Sequence, residues 1–192
     1  FMRATASGQS ALLLLDVIDQ LDKRSISYAV IGAFAASFHG LVRASLDADA
    51  VISIRTSQEG SDLCRDLEGQ GFKIERRTGD VDDPIVAVIN IQDAFHNRVD
   101  LLTGIHGMTQ EIFHRVEQVQ FMGSSIKIAG LEDFIAMKVF AGSPKDIQDV
   151  IGALQVSKEK INRNLLEKLT SQYGSQCLEK LKTLLKEHLL GG

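Results

Sequence analysis

An α+β fold is predicted, with a mixed β-sheet and its helices up to about residue 128 and a helical part from 129 to 192. Three observations predict it. Strand-like and helix-like segments are interspersed over 1–128 without the strict alternation of a doubly wound parallel sheet. From Leu131 onward the apolar residues follow helical spacing only. Glycines and two prolines, Pro84 and Pro144, punctuate the chain where the periodicity changes. The expected organisation is an α/β core over 1–128 and a helical C-terminal subdomain over 129–192.

The elements follow in order. Leu12, Leu15, Ile18 and Leu21 recur at helical spacing, which predicts an amphipathic helix over 9–23. A short apolar strand over 28–31 ends at Gly32, and an Ala-rich helix over 33–39 stops at Gly40. Residues 47–54 alternate and are β-branched, so they read as a strand. A helix over 57–70, capped by Ser57, precedes a strand over 72–76 and a polar loop over 78–84. Strands are expected at 85–91 and 97–102, a short helix at 108–115, and a hairpin at 116–122 and 125–128 turned at Gly123. Helices over 131–141, 144–154, 160–173 and 175–189 complete the chain.

Bulk composition narrows the function classes. Hydrophobic residues make up 44% and charged residues 24%, which suits a packed globular chain. The net charge of −4 gives no strongly basic footprint for nucleic acid. Cys64 and Cys177 lie far apart without metal-site spacing and read as free thiols of a reducing, cytoplasmic protein. The apolar run 11–15 is cut by Asp16 and is too short for a membrane span, so no membrane partner is expected. Phe1 before Met2 is given no role.

The chemistry concentrates between Gly32 and Ile52. Asp47 and Asp49 stand two apart on a strand and so share a face. Two carboxylates that close each need a cation or a proton. A hard divalent cation suits them, since Mg²⁺ binds through one or two carboxylates, waters and phosphates. Taken alone, Asp-x-Asp is more often a solvated strand end. Three features weigh against that. Gly32 sits between a strand and a helix, where backbone N–H groups meet phosphate. Asp100 lies inside the apolar strand Val99-Asp100-Leu101-Leu102, where a charge is costly unless paired with Arg98 or Arg43 or bound to metal. Lys138 shares the buried stripe of Leu131, Phe134 and Ile135, either snorkelling or facing a ligand.

At this point the sequence resembles a family. A strand, Gly32 and a short helix are followed by His39-Gly40, Arg43-Ala-Ser45 and Asp47-Ala-Asp49. That order is similar to the minimal nucleotidyltransferases of the polymerase β-like superfamily, nearest to the group of AbiEii-type toxins. Leu131 to Lys138 and Lys145-Asp146-x-x-Asp149 extend the resemblance over about 26–155. It implies a nucleotidyltransferase core that moves a nucleoside monophosphate from a nucleoside triphosphate, with Mg²⁺ or Mn²⁺, to a hydroxyl acceptor. The acceptor would be a tRNA end, a protein side chain or a small antibiotic-like molecule. A toxin–antitoxin setting with an antitoxin-type partner follows by analogy.

Residue by residue, the resemblance implies that Asp47, Asp49 and Asp100 hold the metal and do the chemistry. Gly32 and Ala33 would form the phosphate-holding turn, with Lys138 on the triphosphate. Arg43 and Ser45 would steady the loop before the strand. Asp146 and Asp149 match a family element of less certain role. The family usually has Gly-Gly or Gly-Ser where this chain has Gly32-Ala33. If that position needs positive φ, the alanine impairs the site; if only its N–H matters, it does not.

Bland readings stand beside these. Asp146 fits the first turn of a helix capped by Ser143 and begun by Pro144, and Lys145 and Asp149 are spaced to pair. His39 at a helix end reads as a cap or packing residue. The acidic loop of Asp80, Asp82 and Asp83 lacks the pattern of a calcium loop. A non-catalytic binding module on the same fold is the alternative, favoured by Ala33 and a leucine-rich tail. Convergence of Asp47, Asp49 and Asp100 on a cleft facing Lys138 supports the enzyme. With Asp100 turned away or paired to Arg98, the enzyme reading fails.

Overall fold

The computed structural model describes residues 2–80 and 83–189. Phe1 and Asp82, both named above, lie outside the described residues. Seven strands form one mixed sheet in the order β3-β4-β5-β2-β1-β7-β6. In chain order these are β1 (Tyr28–Ile31), β2 (Asp47–Ile52), β3 (Lys73–Thr78), β4 (Ala87–Gln92), β5 (Arg98–Leu102), β6 (Glu117–Phe121) and β7 (Ser124–Ile128). The helices are α1 (Ser10–Lys23), α2 (Gly32–Phe38), α3 (Ser57–Gly69), α4 (Leu131–Ala141), α5 (Pro144–Val156), α6 (Arg163–Gln172) and α7 (Ser175–His188). The α+β class predicted from the sequence is the class observed.

Two pairings place the chemistry. β1 runs antiparallel to β2, with Ile31 opposite Asp49, and β2 runs parallel to β5, with Asp49 opposite Asp100. Alternation then sorts the sheet into two faces. Tyr28, Val30, Ala48, Ala50, Ile52, Val99 and Leu101 share one face and join the main core with Leu13, Leu14 and Leu21 of α1 and Leu63 and Leu67 of α3. Asp47, Asp49 and Asp100 stand on the other. Val51 follows Asp49 onto that second face and joins a second apolar cluster with Ile31, Leu102 and Met137 of α4.

Element boundaries shift where local hydrogen bonding decides them. Thr56, one residue before Ser57, caps α3 by accepting from Glu59 N–H. β4 begins at Ala87, and Ile85 makes only an isolated bridge to Ile105. The short helix near 108–115 is a 3₁₀ segment at Gln110–His114. Asn162 caps α6, which starts later than periodicity suggested because 157–160 form a turn. α4 belongs to the main core through Phe134, Ile135 and Val139, and α7 through Leu181, Leu184 and Leu185. Among the described residues no helix is long and apolar enough to cross a membrane. Both cysteines are free thiols.

Candidate functional site

The site is built where β1 hands over to α2. Gly32 has φ +67°, and a Cβ added there would lie 2.3 Å from Asp49 Oδ2. Only glycine combines that backbone region with that approach. The glycine is thus required by the Asp49 carboxylate beside it as well as by the turn. Ala33 follows inside the helix and is not among the residues with positive φ, so its β-carbon brings no backbone strain.

Asp49 and Asp100 face the same way on adjacent strands. Asn90, opposite Asp100 on β4, donates from its side-chain amide to Asp100 Oδ1. Asp49 has no cation within ion-pair distance among the described residues. Burial, with the charges of Asp47 and Asp100, pushes its carboxyl up to about 6, while Lys138 pulls the other way. Asp47, nearer the surface, behaves oppositely. The Ser45 hydroxyl donates to it at 2.8 Å and Arg98 pairs with it at 2.8 Å, and these hold it below the usual carboxylate range.

Arg98 also lies 3.6 Å from Asp100, within ion-pair range but beyond a hydrogen bond. The pairing with Arg98 that the sequence reading set as the failure of an enzyme is therefore present, as a long contact, while Asp100 shares a face with Asp49. Its weight is small, because Arg98 is 47% exposed and a solvent-exposed pair is worth about 0–1 kcal/mol. Among the described residues no three His, Cys, Asp or Glu side chains form a ready-made metal cage. A hard cation held by one or two carboxylates, water and phosphate needs none. The Asp49–Asp100 pair, with Asp49 uncompensated, fits that mode.

The other expected residues form a second, neutralised group. Lys138 Nζ contacts Asp146 at 2.6 Å and Asp149 at 3.0 Å, and Asp149 also takes the Arg43 guanidinium. Asp149 thus binds Arg43 and Lys138 rather than Lys145. Ser143 caps α5 as its sequence suggested, and its hydroxyl donates to Asp146 as well. Burial raises the Asp146 carboxyl, but the bonds from Lys138 and Ser143 outweigh it and leave it lowered. Arg43, Lys138 and Asp149 tie the loop before β2 to α4 and α5. His39 is a packing residue, donating from Nε2 to the Ala129 carbonyl and lying against Phe134. Asn90 escaped the sequence reading, although a lone amide in the apolar run Val88–Ile91 was a usable signal.

Two cavities flank the carboxylates. A pocket of mixed lining, about 260 Å³, lies at the Asp47 end between Ala33, Phe34, Ser37, Arg43 and Ser45. An apolar cleft of about 370 Å³ reaches Gly32 from under α4. Ile31, Ile85, Leu102, Ile105 and Met137 line it, with Lys138 and Asp146 at its margin.

Comparison with known proteins bears on the fold and the family. Residues 11–186 match the family model described as nucleotidyltransferase of unknown function (DUF6036). The fold is similar to that of the antibiotic-resistance factor ANT(2'')-Ia, at 14% identity and a TM-score of 0.58, covering 96% of this chain and 98% of that one. A nucleotidyltransferase-like protein from Paracoccidioides brasiliensis is 17% identical with a TM-score of 0.53, covering 95% of each chain. The lincosamide antibiotic adenylyltransferase LnuA is 14% identical with a TM-score of 0.51, over 80% of this chain and 99% of that one. No curated protein sequence matches. With its matched span running from α1 to α7, the chain belongs to the DUF6036 family of nucleotidyltransferases.

Proposed function

We propose that this chain transfers a nucleoside monophosphate from a nucleoside triphosphate, bound with Mg²⁺ or Mn²⁺, to the hydroxyl of an acceptor. The observation that carries the reading is the in-register pair Asp49–Asp100, set against Gly32, with no cation in ion-pair contact with Asp49 among the described residues. Asp47, Asp49 and Asp100 would hold the cation. When bound, it would supply charge neutralisation at the triphosphate and at the attacking oxygen.

The remaining steps belong to the chain. The acceptor oxygen bonds to the α-phosphorus in line with the departing pyrophosphate, whose bond to phosphorus breaks. The hydroxyl proton passes to a carboxylate of the Asp49–Asp100 pair. Ala33, Arg43 and Ser45 line the pocket at the Asp47 end that would take the pyrophosphate end, and Lys138 would reach the triphosphate by leaving Asp146. On this division of labour 1–128 carries the carboxylates and 129–192 contributes Lys138, Asp146 and Asp149.

A toxin–antitoxin setting in the cytoplasm, with tRNA as acceptor and an antitoxin-type partner, rests on the resemblance to AbiEii-type toxins alone. A second reading, a nucleotide- or partner-binding module without transfer, is favoured by the Arg98 contact with Asp47 and Asp100. Calorimetric binding of nucleoside triphosphates with and without Mg²⁺, to wild type and Asp49→Asn, tests the site. Metal-dependent binding lost in the variant supports it. No binding to wild type sinks the nucleotide reading, and binding with no label transferred from an α-labelled triphosphate favours the module.

A further inference from the structure

The sheet has two edges, and they are finished differently. β3 ends it on one side with Lys73, Glu75, Arg76 and Arg77 exposed, and charges on an edge keep a further strand from pairing there. β6 ends it on the other side with Glu117-Gln118-Val119-Gln120-Phe121, which carries one charge, no lysine and no proline. Apolar surface gathers along this second edge. The Phe121 ring meets Phe34 and Phe38 edge-on, with centroids 5.0 and 6.3 Å away, and Phe38 and Met122 are 38% and 66% exposed.

The register tells which main-chain groups are free. Met122 and Gly123 both have positive φ and join β6 to β7 as a two-residue hairpin turn. Such a turn closes on a hydrogen-bonded pair, here Phe121 and Ser124. Bonded and non-bonded pairs alternate from there, so Phe121, Val119 and Glu117 direct their N–H and C=O groups at β7. Gln118 and Gln120 direct theirs outward. Among the described residues, no main-chain hydrogen bond outside the β6–β7 ladder reaches 117–121.

We propose that β6 pairs antiparallel with β6 of a second copy of this chain, about a twofold axis at Val119, so that two seven-stranded sheets become one. In this register Gln118 of each copy meets Gln120 of the other, and the two exchange main-chain N–H···O bonds in both directions. Val119 meets Val119 as a non-bonded pair, where side chains come closest. Glu117 faces Phe121, so the one charge of the strand never meets its own kind. The strand is thus complementary to itself. Its outward-facing residues are the same on either side of Val119, and no like charges are opposed. A strand of unrelated sequence has no use for that symmetry, whereas twofold pairing is the commonest way identical chains associate. A twofold axis normal to the sheet also keeps Val119 and Phe121 of both copies on the side of Phe34 and Phe38. This pairing needs nothing from nucleotidyl transfer, and either can hold without the other.

The test is sedimentation equilibrium of wild type, of Gln120→Pro and of two double variants at the exposed positions 118 and 120. Gln120→Pro removes an N–H that points away from β7, which an edge strand tolerates, so the fold is kept while the pairing loses a donor. Gln118→Lys with Gln120→Lys sets lysine against lysine across the axis. Gln118→Glu with Gln120→Lys sets glutamate against lysine. Wild type is expected to dimerise at about 50 μM. The dissociation constant should rise about tenfold or more in Gln120→Pro and in the double-lysine variant, and stay within about threefold of wild type in the glutamate–lysine variant. A wild type that is still monomeric at about 200 μM overturns the proposal and leaves the edge to a strand of another protein. A dimer that none of the variants weakens also overturns it, because the interface then lies elsewhere. Loss of the dimer in the glutamate–lysine variant as well overturns the register about Val119.

Discussion

Two pairs of aspartates lie within reach of Lys138, and they are handled in opposite ways. Asp146 and Asp149 on α5 are fully compensated, by Lys138, Arg43 and the Ser143 hydroxyl. Asp49 and Asp100 lie side by side on the sheet, with Asn90 donating to Asp100, Arg98 3.6 Å from it, and no ion pair to Asp49 among the described residues. The carboxylates of α5 answer to groups the chain already has, which is how a fold uses charge to fix a loop. The pair on the sheet is left short of positive charge, and that shortfall suits a cation that arrives from outside. Proximity alone does not separate the two cases; counter-ion balance does.

The largest expected effect tests the compensated pair. Removing one partner of a buried ion pair leaves the other charges unmatched and costs about 3–5 kcal/mol. Asp149→Ala strips the shared acceptor from Arg43 and Lys138 and is expected at the low end of that range, about 3 kcal/mol, in denaturant unfolding. A loss under about 0.5 kcal/mol would mean that the network does not hold the loop, against the range for surface changes.

Asp49→Asn should shift stability the other way. The folded carboxyl, at about 6, lies above its ordinary value, so the folded chain holds a proton that the unfolded chain has released. Metal-free stability therefore falls as pH rises from about 4 to about 6 and stays lower above that window. The asparagine variant escapes this loss. It should be more stable than wild type at pH 7.5 by an amount approaching 3 kcal/mol, about two pKa units at 1.36 kcal/mol each. The gain should vanish near pH 4, as followed by thermal unfolding with a chelator present. A variant less stable at every pH would mean that Asp49 is not crowded.

Legibility from sequence divides along the same line. The sheet carboxylates were legible because strand alternation puts Asp47 and Asp49 on one face, and a charge inside Val99–Leu102 is conspicuous. The order of the strands was not, since nothing local says that β2 lies beside β5 and brings Asp100 level with Asp49. Asp149 was read as a partner of Lys145 because helical spacing is visible, whereas its contacts with Arg43 and Lys138 depend on how α4 and α5 pack. α3 began where expected but is capped one residue earlier, by Thr56, and α6 started later than expected, after its Asn162 cap. Gly32 was noticed as a turn, but its closeness to Asp49 needed the β1–β2 register.

Gly32→Ala sharpens the comparison from the backbone side. The left-handed region costs a residue with a β-carbon about 1–2 kcal/mol. The new carbon would also displace the Asp49 carboxylate, against which it would sit at 2.3 Å. Expected are a loss of about 2 kcal/mol in stability and loss of metal-dependent nucleotide binding in calorimetry. Binding retained at wild-type strength would show that the Asp49 carboxylate need not stay where Gly32 keeps it.

The smallest effect comes from Arg98, which lies near both Asp47 and Asp100. Its pair with Asp47 is half in solvent, so Arg98→Gln should change metal-free stability by less than about 1 kcal/mol. Its consequence lies in competition. A divalent cation at Asp47 and Asp100 must first displace the guanidinium, and without that step Mn²⁺ should bind roughly two- to fivefold more tightly at low salt. The advantage should shrink as salt rises, because the pair it removes is itself screened. Titration of Mn²⁺ into both proteins by calorimetry at two ionic strengths measures it. Unchanged affinity would place the cation away from Asp47. Weaker affinity would mean that Arg98 holds Asp47 in position for the cation, and the carboxylate row would then depend on the arginine that half neutralises it.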